Sequence, residues 1–289
     1  MSWINALVQG VLLGGLYAIF ATGLSLAFGV MRFVNLAHGD LAILAAYLVL
    51  STASTMGVSH VVSLPLVVLL MAGLGYVGQR FVFNRTIGPD PLAGILCSFG
   101  IGVVVQNLLL ARYTATDRYL DAGSIETSTI RINDSVSIGH FSLLTFVCAI
   151  LLLGSLQIFL SRTSLGRAFR ATADDPATAQ LMGINDKRIY GFAMAIAFGT
   201  VGIAGFFLGA RETFAPAAGP NQLLFGFEAV VIGGLGSLWG TLIGGIVLGV
   251  AQVFGNQLSV GWNLLAGHIV FLMVLAFRPN GLLGTGVRT

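Results

Sequence analysis

Residues Ser161–Lys187 read SRTSLGRAFRATADDPATAQLMGINDK and lie between two long apolar segments, Phe141–Leu160 and Ile189–Ala210. This polar stretch is longer than a simple connection requires, because a few residues are enough to join two neighbouring helices. Together with Arg188 it holds five of the chain's fourteen basic residues. Its charged side chains are Arg162, Arg167, Arg170, Asp174, Asp175, Asp186, Lys187 and Arg188.

The pattern of capping residues predicts two short helices inside this stretch. Thr163 or Ser164 can cap a first helix over about Leu165–Ala173, since Ser and Thr accept hydrogen bonds from free backbone N–H groups. The pair Asp175–Pro176 then places a capping acid before a proline that suits the first helical position. Gly183 follows about two turns later, where a glycine commonly ends a helix.

A third helix is predicted to begin after Asn185 or Asp186, either of which can cap it, and to enter the membrane. Two interpretations of the whole loop stay open. It is either a solvated cytoplasmic loop that obeys the positive-inside rule, or a docking surface for a soluble partner. The second interpretation explains why the loop builds two capped helices and concentrates charge on them.

Composition assigns the chain to the integral membrane proteins. Of its 289 residues, 56% are hydrophobic and only 9% are charged, and the mean hydropathy is +0.92. The net charge of +3 sits in a few loops, which indicates membrane topology and not nucleic-acid binding. Cys97 and Cys148 both lie in apolar runs, so they give neither a disulfide framework nor a metal motif.

Apolar runs, most of them long enough to span a bilayer, predict an all-α polytopic membrane protein that forms a single transmembrane domain over residues 1–289. We expect about eight transmembrane helices, or nine if the two halves of the seventh run cross separately. The runs are Gln9–Val30, Leu41–Leu50, Ser59–Phe83, Leu92–Ala111, His140–Leu160, Ile189–Ala210, Gln222–Gln252 and Gly261–Phe277.

Basic residues near the ends of the runs predict the orientation, because cytoplasmic loops carry an excess of Lys and Arg. Three basic groups are predicted to share one side of the membrane, which is then the cytoplasm. They are Arg80 with Arg85, the loop at about 161–188, and Arg278 with Arg288. The C-terminus is predicted to be cytoplasmic as well. The segment Arg112–Gly139 is then an external loop, and its alternating residues predict a little strand.

Two polar or glycine-rich interruptions predict irregular backbone at membrane depth, which is tolerated only where protein or a water-filled cavity satisfies its polar groups. Paired interruptions of this kind, one near each end of a chain, point to a translocation site. The alternative is a tight cytoplasmic turn for the first and a re-entrant hairpin tip for the second. The candidate pathway residues are Asn35, His38, Gly39 and Asp40 in the first, and Gly233, Gly234, Gly236 and Ser237 in the second, with Glu228 one turn earlier.

Asp40 and Glu228 are the acids nearest these breaks, and ionisable groups inside a bilayer are costly and usually functional. Arg32 is a candidate partner for Asp40. The acids also allow an alternative function, an ion-coupled secondary transporter that uses Asp40 or Glu228 as a proton site. His38 is expected to be a hydrogen-bonding residue at a helix end and not a metal ligand, since no second ligand lies at a usable spacing.

The sequence contains no motif of a soluble enzyme. Its only lysine, Lys187, lies outside any phosphate-binding G-x-x-x-x-G-K-[ST] pattern, so we expect this chain not to hydrolyse ATP itself. Ser237 and His268 allow the hypothesis of an intramembrane serine hydrolase, but a catalytic pair needs demonstrated geometry. We therefore predict no catalytic residue and no metal site.

Three separated motifs resemble one family in the same order along the chain. The segment 33–40, FVNLAHGD, resembles the N-[FL]-A-H-G segment of branched-chain amino acid ABC permeases. The segment 166–185, from GRAFRA to GIN, resembles their cytoplasmic loop. The segment 232–240, IGGLGSLWG, and the segment 279–284, PNGLLG, are similar to their C-terminal pattern. The resemblance covers nearly the whole chain, and the length is similar to that of the shorter, LivH-like subunit.

The resemblance implies a permease subunit of an ATP-driven importer in the bacterial inner membrane, favouring branched-chain amino acids. It implies a LivM-like second permease, two cytoplasmic ABC ATPases that use ATP and magnesium, an external binding protein, contact with membrane lipid and no nucleic acid. This chain itself needs no cofactor. The motif leaves the substrate open among leucine-type amino acids, other amino acids, amides and urea. The loop is then the ATPase-coupling element, with Gly166, Arg167, Arg170, Ala171 and Gly183 matching the family motif and with Asp174 and Asp175 beside them.

Overall fold

A computed structural model describes residues 2–86, 91–133 and 136–284, and within them the chain is almost entirely helical. The two strands, β1 (Thr129–Asn133) and β2 (Val136–Gly139), pair antiparallel in the expected external loop. The helices are α1 (Trp3–Met31), α2 (His38–Met56), α3 (His60–Phe81), α4 (Pro91–Tyr113), α5 (His140–Arg162), α6 (Ser164–Asp174), α7 (Pro176–Leu181), α8 (Asp186–Gly209), α9 (Gly219–Gly233), α10 (Leu238–Leu258) and α11 (Trp262–Phe277).

Seven of the described helices are long and apolar enough to cross a membrane, which confirms the polytopic all-α prediction. They are α1 to α5, α8 and α10. The predicted run Gln222–Gln252 is divided between α9 and α10 at residues 234–237, as the glycines there indicated. Because α9 and α11 have only 15 and 16 residues, the expected count of eight or nine spans depends on these two helices.

The chain divides into two compact units, each built from separate stretches of sequence. Unit 1 comprises Met1–Ser25, Ala122–Leu153 and Phe225–Thr289, and unit 2 comprises Leu26–Asp121 and Gly154–Leu224. Arg288, one of the basic residues from which the orientation in the membrane was predicted, lies outside the described residues. The side of the membrane on which each loop lies therefore stays a prediction.

Small residues bring α1 and α10 together in unit 1. A Cβ atom built on Gly10 would lie 2.6 Å from the Cα of Val250, and one built on Gly245 would lie 2.6 Å from the carbonyl oxygen of Gly14. Such spacing lets the two backbones touch. The resulting van der Waals contact holds the helices together, because apolar side chains gain little by leaving lipid for a helix interface. The small-residue spacing of Gly10 and Gly14, and of Gly245 and Gly249, is thus used for helix packing.

Unit 2 is organised around α8, which packs on α2, on α3 and on the two loop helices α6 and α7. Gly205 of α8 faces the backbone of Ala42 and Ala46 in α2, and Gly75 of α3 faces the carbonyl oxygen of Met194 in α8. The loop helices, α2 and α3 therefore all pack on the same central helix.

Candidate functional site

The first break, between α1 and α2, covers residues 32–37, so it begins and ends three residues earlier in the chain than the candidate stretch Asn35–Asp40. His38, Gly39 and Asp40 instead form the first turn of α2. The reason is local, because the Asn35 side-chain oxygen accepts a hydrogen bond from the N–H of Ala37 and its carbonyl accepts one from His38. These two bonds close the turn that starts the helix.

Asn35 and His38 are buried, each with about 1% of its surface exposed. The Asn35 amide nitrogen has no hydrogen-bond partner among the described residues, which is unusual for a buried donor. Among the residues that the structure describes, no three His, Cys, Asp or Glu side chains form a group able to hold a metal ion. The first break therefore carries a buried polar donor that no described residue satisfies.

Asp40 lies against the start of α9. Cβ atoms built on Gly39 and on Gly219 would fall under 3.0 Å from the facing backbone, and the one on Gly219 would also meet the Asp40 carboxylate. The carboxylate thus sits at the amino end of a helix, where the helix dipole favours negative charge. Asp40 also accepts a hydrogen bond of 2.8 Å from Nε2 of Gln106 on α4.

Gln106, and not Arg32, is therefore the side-chain partner of Asp40 that the structure shows. Between residues that the structure describes, no ion pair joins Arg32 to Asp40. Arg32 instead has a φ of 51°, a left-handed conformation that turns the chain at the end of α1. In the sequence, the only signal for Gln106 is that it is a polar residue inside an apolar span.

The second break, in unit 1, is held by the C-terminal segment. Gly234 has a φ of 108°, which a side chain would strain. The N–H groups of Leu282 and Leu283 donate to the carbonyls of Ile232 and Gly233, at 2.8 and 3.0 Å. The two motifs of the C-terminal pattern, 232–240 and 279–284, therefore contact each other and close the free end of α9.

Glu228 is buried to about 1% exposure in α9, and its Oε1 lies 2.5 Å from Nδ1 of His268 on α11. Its second oxygen, Oε2, has no hydrogen-bond partner among the described residues. Sequence reasoning connected His268 with Ser237, but the structure pairs it with Glu228. A second polar pair that the sequence did not indicate lies in the same unit, where the Tyr17 hydroxyl donates to Oε1 of Gln252.

Ser237 is a helix cap. Its Oγ accepts a hydrogen bond of 3.1 Å from the N–H of Gly240, at the start of α10. With Ser237 capping α10 and His268 bound to Glu228, the geometry gives no support to the serine-hydrolase hypothesis.

We expect Ser237→Ala to keep transport and to lower the free energy of unfolding by about 1 kcal/mol, since a lost cap typically costs that amount. Ser237→Thr is the matched control, because threonine can make the same bond. The measurement is uptake in cells together with thermal unfolding of the purified chain. Loss of uptake in Ser237→Ala with normal uptake in Ser237→Thr would instead assign chemistry to the hydroxyl.

The loop between α5 and α8 confirms the predicted helix caps. Thr163 caps α6, Asp175 caps α7 and Asn185 caps α8. The hydroxyl of Thr178, together with backbone N–H groups, holds the pKa of Asp175 below its usual value. Gly183 has a φ of 84° and ends α7.

The predicted coupling residues divide into two groups. Gly166 and Arg170 are engaged with the end of α5, since Gly166 packs on the backbone of Leu160 and the Arg170 guanidinium donates to its carbonyl oxygen. Arg167 and Asp174 are exposed, and Ala171 is half-buried. The motif therefore fixes α6 to α5, while the side chains of Arg167 and Arg170 both stay exposed.

Comparison with known proteins gives a consistent result. Residues 6–277 match the family described as branched-chain amino acid transport system/permease component. The chain is 28% identical to the high-affinity branched-chain amino acid transport system permease protein BraD of Pseudomonas aeruginosa, covering 98% of this chain and 96% of that protein. It is 26% identical to LivH of Escherichia coli K12, covering 98% of this chain and 96% of LivH. It is also 26% identical to LivM of the same organism, over 93% of this chain and 68% of LivM.

Proposed function

The chain belongs to the family of branched-chain amino acid transport permease components, and on that premise we propose that it is a membrane-spanning subunit of an ATP-driven importer of branched-chain, hydrophobic amino acids. It is not itself an enzyme, and ATP hydrolysis belongs to partner subunits. The proposed assembly contains a LivM-like second permease, two cytoplasmic ATPases and an external binding protein. The chain lies in the bacterial inner membrane with its C-terminus in the cytoplasm.

The observation that carries the proposal is a continuous line of packing in unit 2. The loop helices α6 and α7 pack on α8, and α8 packs on α2 through the contact of Gly205 with Ala42. Two residues before Ala42 lies Asp40, against the start of α9. A displacement of the loop by an ATPase is therefore passed through packed helices to the first break, because packed interiors transmit strain.

The two breaks provide the polar groups of the proposed transport path. The first provides Asn35, His38, Gly39 and Asp40, and the second provides Glu228 with the backbone of Gly233, Gly234, Gly236 and Ser237. Buried polar groups without partners among the described residues, the Asn35 amide and Glu228 Oε2, support this role because most buried polar atoms are satisfied. An importer needs weak, transient contacts along its path, since tight binding would slow release.

The test is uptake by proteoliposomes that contain this chain with its second permease and its ATPases, with ATP inside and binding protein outside. We expect labelled leucine to accumulate only with ATP, and isoleucine and valine to compete while urea and acetamide do not. Uptake driven by a pH gradient without ATP, and lost in Glu228→Gln, would overturn the proposal in favour of the ion-coupled carrier. ATP-driven uptake of urea or amides would support the proposal of an ATP-driven importer and contradict the proposed substrate.

A further inference from the structure

A cavity of about 390 Å³ lies in unit 1, where the amino end of α5 meets the segment that leads into β1. Its volume is in the range of ligand pockets in proteins. All six lining residues differ from those of the proposed transport path and of the loop between α5 and α8. They are Ile125, Ser128, His140, Leu143, Leu144 and Val147.

The hairpin segment beside the cavity is fixed to two helices. On one side the N–H of His140, the first residue of α5, donates to the carbonyl oxygen of Ser128 at 3.0 Å. On the other side Ser137 of β2 bonds to α1, since its N–H donates to Oδ1 of Asn5 at 3.3 Å and its carbonyl accepts from Nε2 of Gln9 at 2.7 Å. The walls of the cavity are therefore already in place, which lowers the entropic cost of binding a ligand there.

The cavity is continuous with an exposed apolar face of α5. Leu144 and Val147 line the cavity and are still 45% and 43% exposed, in a helix apolar enough to cross a membrane. Leu151 is 67% exposed and lies on the same face of the helix one turn further along, since residues four apart are neighbours on a helix surface. This row of side chains leads from the cavity toward the interior of the bilayer. A hydrocarbon chain can therefore enter the cavity from the membrane without crossing water.

The chemistry of the walls selects the occupant. Water is disfavoured, because a buried water molecule needs several polar partners and four of the six lining residues are Ile, Leu or Val. A free amino acid is disfavoured as well, since its carboxylate and ammonium groups need charged or hydrogen-bonding partners and none of the six residues is Asp, Glu, Lys or Arg. An empty cavity would leave the wall atoms without dispersion contacts on one side. A lipid acyl chain supplies those contacts.

Two polar residues mark one end of the cavity. The Ser128 hydroxyl donates to the carbonyl oxygen of Ser124 at 2.6 Å. Nδ1 of His140 is buried and has no hydrogen-bond partner among the described residues. Because the χ2 torsion of histidine is soft, a small rotation of the ring can bring this nitrogen to an acceptor in the cavity. The ester carbonyl at the head of an acyl chain is such an acceptor.

We propose that this cavity binds one acyl chain of a membrane phospholipid, with the chain along Leu144 and Val147 and its ester carbonyl at His140. The inference goes beyond the proposed function and does not depend on which substrate is transported. The bound lipid connects the hairpin to α5 and stabilises this end of unit 1. Since no Asp, Glu, Lys or Arg lines the cavity, the site recognises the chain and the ester group and not the charge of the headgroup.

The first experiment purifies the tagged permease in its native assembly in mild detergent and measures the retained phospholipid by native mass spectrometry. Val147→Phe places an aromatic ring in the cavity, and it is expected to retain at least about tenfold less of the most tightly held phospholipid, because an overpacked site resists a further occupant. Leu151→Phe is the matched control, since it adds the same ring to the exposed face of α5 outside the cavity. Its retained phospholipid is expected to equal that of the unmodified chain.

Retention by Val147→Phe at the level of the unmodified chain would overturn the inference. Equal loss in both phenylalanine variants would also overturn it, because the lipid would then belong to the general shell around the protein. Absence of phospholipid from the unmodified assembly would assign the cavity to a side chain of a partner subunit and overturn the inference as well. The proposed function is tested by uptake and stands or falls independently of these outcomes.

A second experiment needs no variant and so does not depend on the folding of Val147→Phe. The unmodified assembly is placed in lipid nanodiscs that contain phosphatidylethanolamine or phosphatidylglycerol with a photoreactive diazirine in one acyl chain. We expect labelling of the segments 125–128 and 143–147 with both lipids, and more of it than at Leu69, which is 70% exposed on α3. Labelling no stronger than at Leu69, or labelling with only one of the two headgroups, would overturn the inference.

Excess free leucine is added to the same nanodiscs to distinguish a lipid from the transported substrate. We expect the labelling of 125–128 and 143–147 to stay unchanged, because the cavity lacks partners for a carboxylate and an ammonium group. Loss of the label on addition of leucine would overturn the inference and assign the cavity to the substrate.

Discussion

Gly39→Ala is expected to abolish uptake and to destabilise the chain more than a typical overpacking substitution, by more than about 3 kcal/mol. A Cβ on Gly39 would meet the carbonyl oxygen of Gly219 and would lie 2.9 Å from the backbone nitrogen of Leu223. Backbone atoms at the start of α9 cannot move out of the way by a change of rotamer, as the end of a side chain can. The added methyl group therefore pushes α2 away from the start of α9 and moves the Asp40 carboxylate from the helix terminus that it faces.

The measurement for Gly39→Ala is thermal unfolding of the purified chain, alongside uptake of labelled leucine. Gly100→Ala is the matched control, since Gly100 lies inside α4 and a Cβ there would meet no atom within 4 Å. We expect this control to be neutral or slightly stabilising, because alanine favours a helix over glycine. Equal stability of the Gly39 and Gly100 variants would show that α2 and the start of α9 are not in close contact.

Gly14→Leu is expected to prevent the chain from accumulating in folded form. Gly14 lies where α1 crosses α10, and a Cβ there would fall under 3.0 Å from the backbone of Ile246 and Gly245. In a bilayer the helices are held together by close van der Waals contact, because lipid is as apolar as a leucine side chain. A branched side chain at the crossing separates the two backbones, and no hydrophobic gain compensates for the lost contact.

The amount of monodisperse protein after detergent extraction measures this effect. Gly154→Leu provides the control, since Gly154 lies in α5 with open space around it. We expect that variant to be extracted at the level of the unmodified chain. An unaffected yield for Gly14→Leu, with normal unfolding temperature, would contradict the role of the small residues in the packing of α1 on α10.

The helix ends were predictable because they depend on atoms within a few residues of one another. Thr163, Asp175 and Asn185 each bond a backbone N–H no more than three residues ahead, so their side chains specify the start of a helix locally. Gly183 likewise ends α7 through its own backbone conformation. The break at 234–237 was predictable for the same reason, since its glycines permit a backbone that other residues avoid.

The partners of the buried polar groups were not predictable from local pattern. Asp40 bonds Gln106, 66 residues away, and Glu228 bonds His268, 40 residues away. The sequence indicated that each acid needs a partner, because an ionisable group in a bilayer is costly when unpaired. It proposed Arg32 for Asp40, the nearest basic residue along the chain, and that proposal failed because distance along a chain does not measure distance in space.

The sequence by itself thus determined the membrane class, the apolar helices, their caps and the polar loop, all of which follow from hydropathy and from hydrogen bonds within single turns. Only the tertiary structure decided which face of each helix packs, that the segments 232–240 and 279–284 touch, and that Arg170 braces α5 while Leu181 stays exposed. The physical reason is that a lipid-facing leucine and a protein-facing leucine look alike in sequence. In a membrane the choice of face depends on shape and on the few polar groups that must find each other.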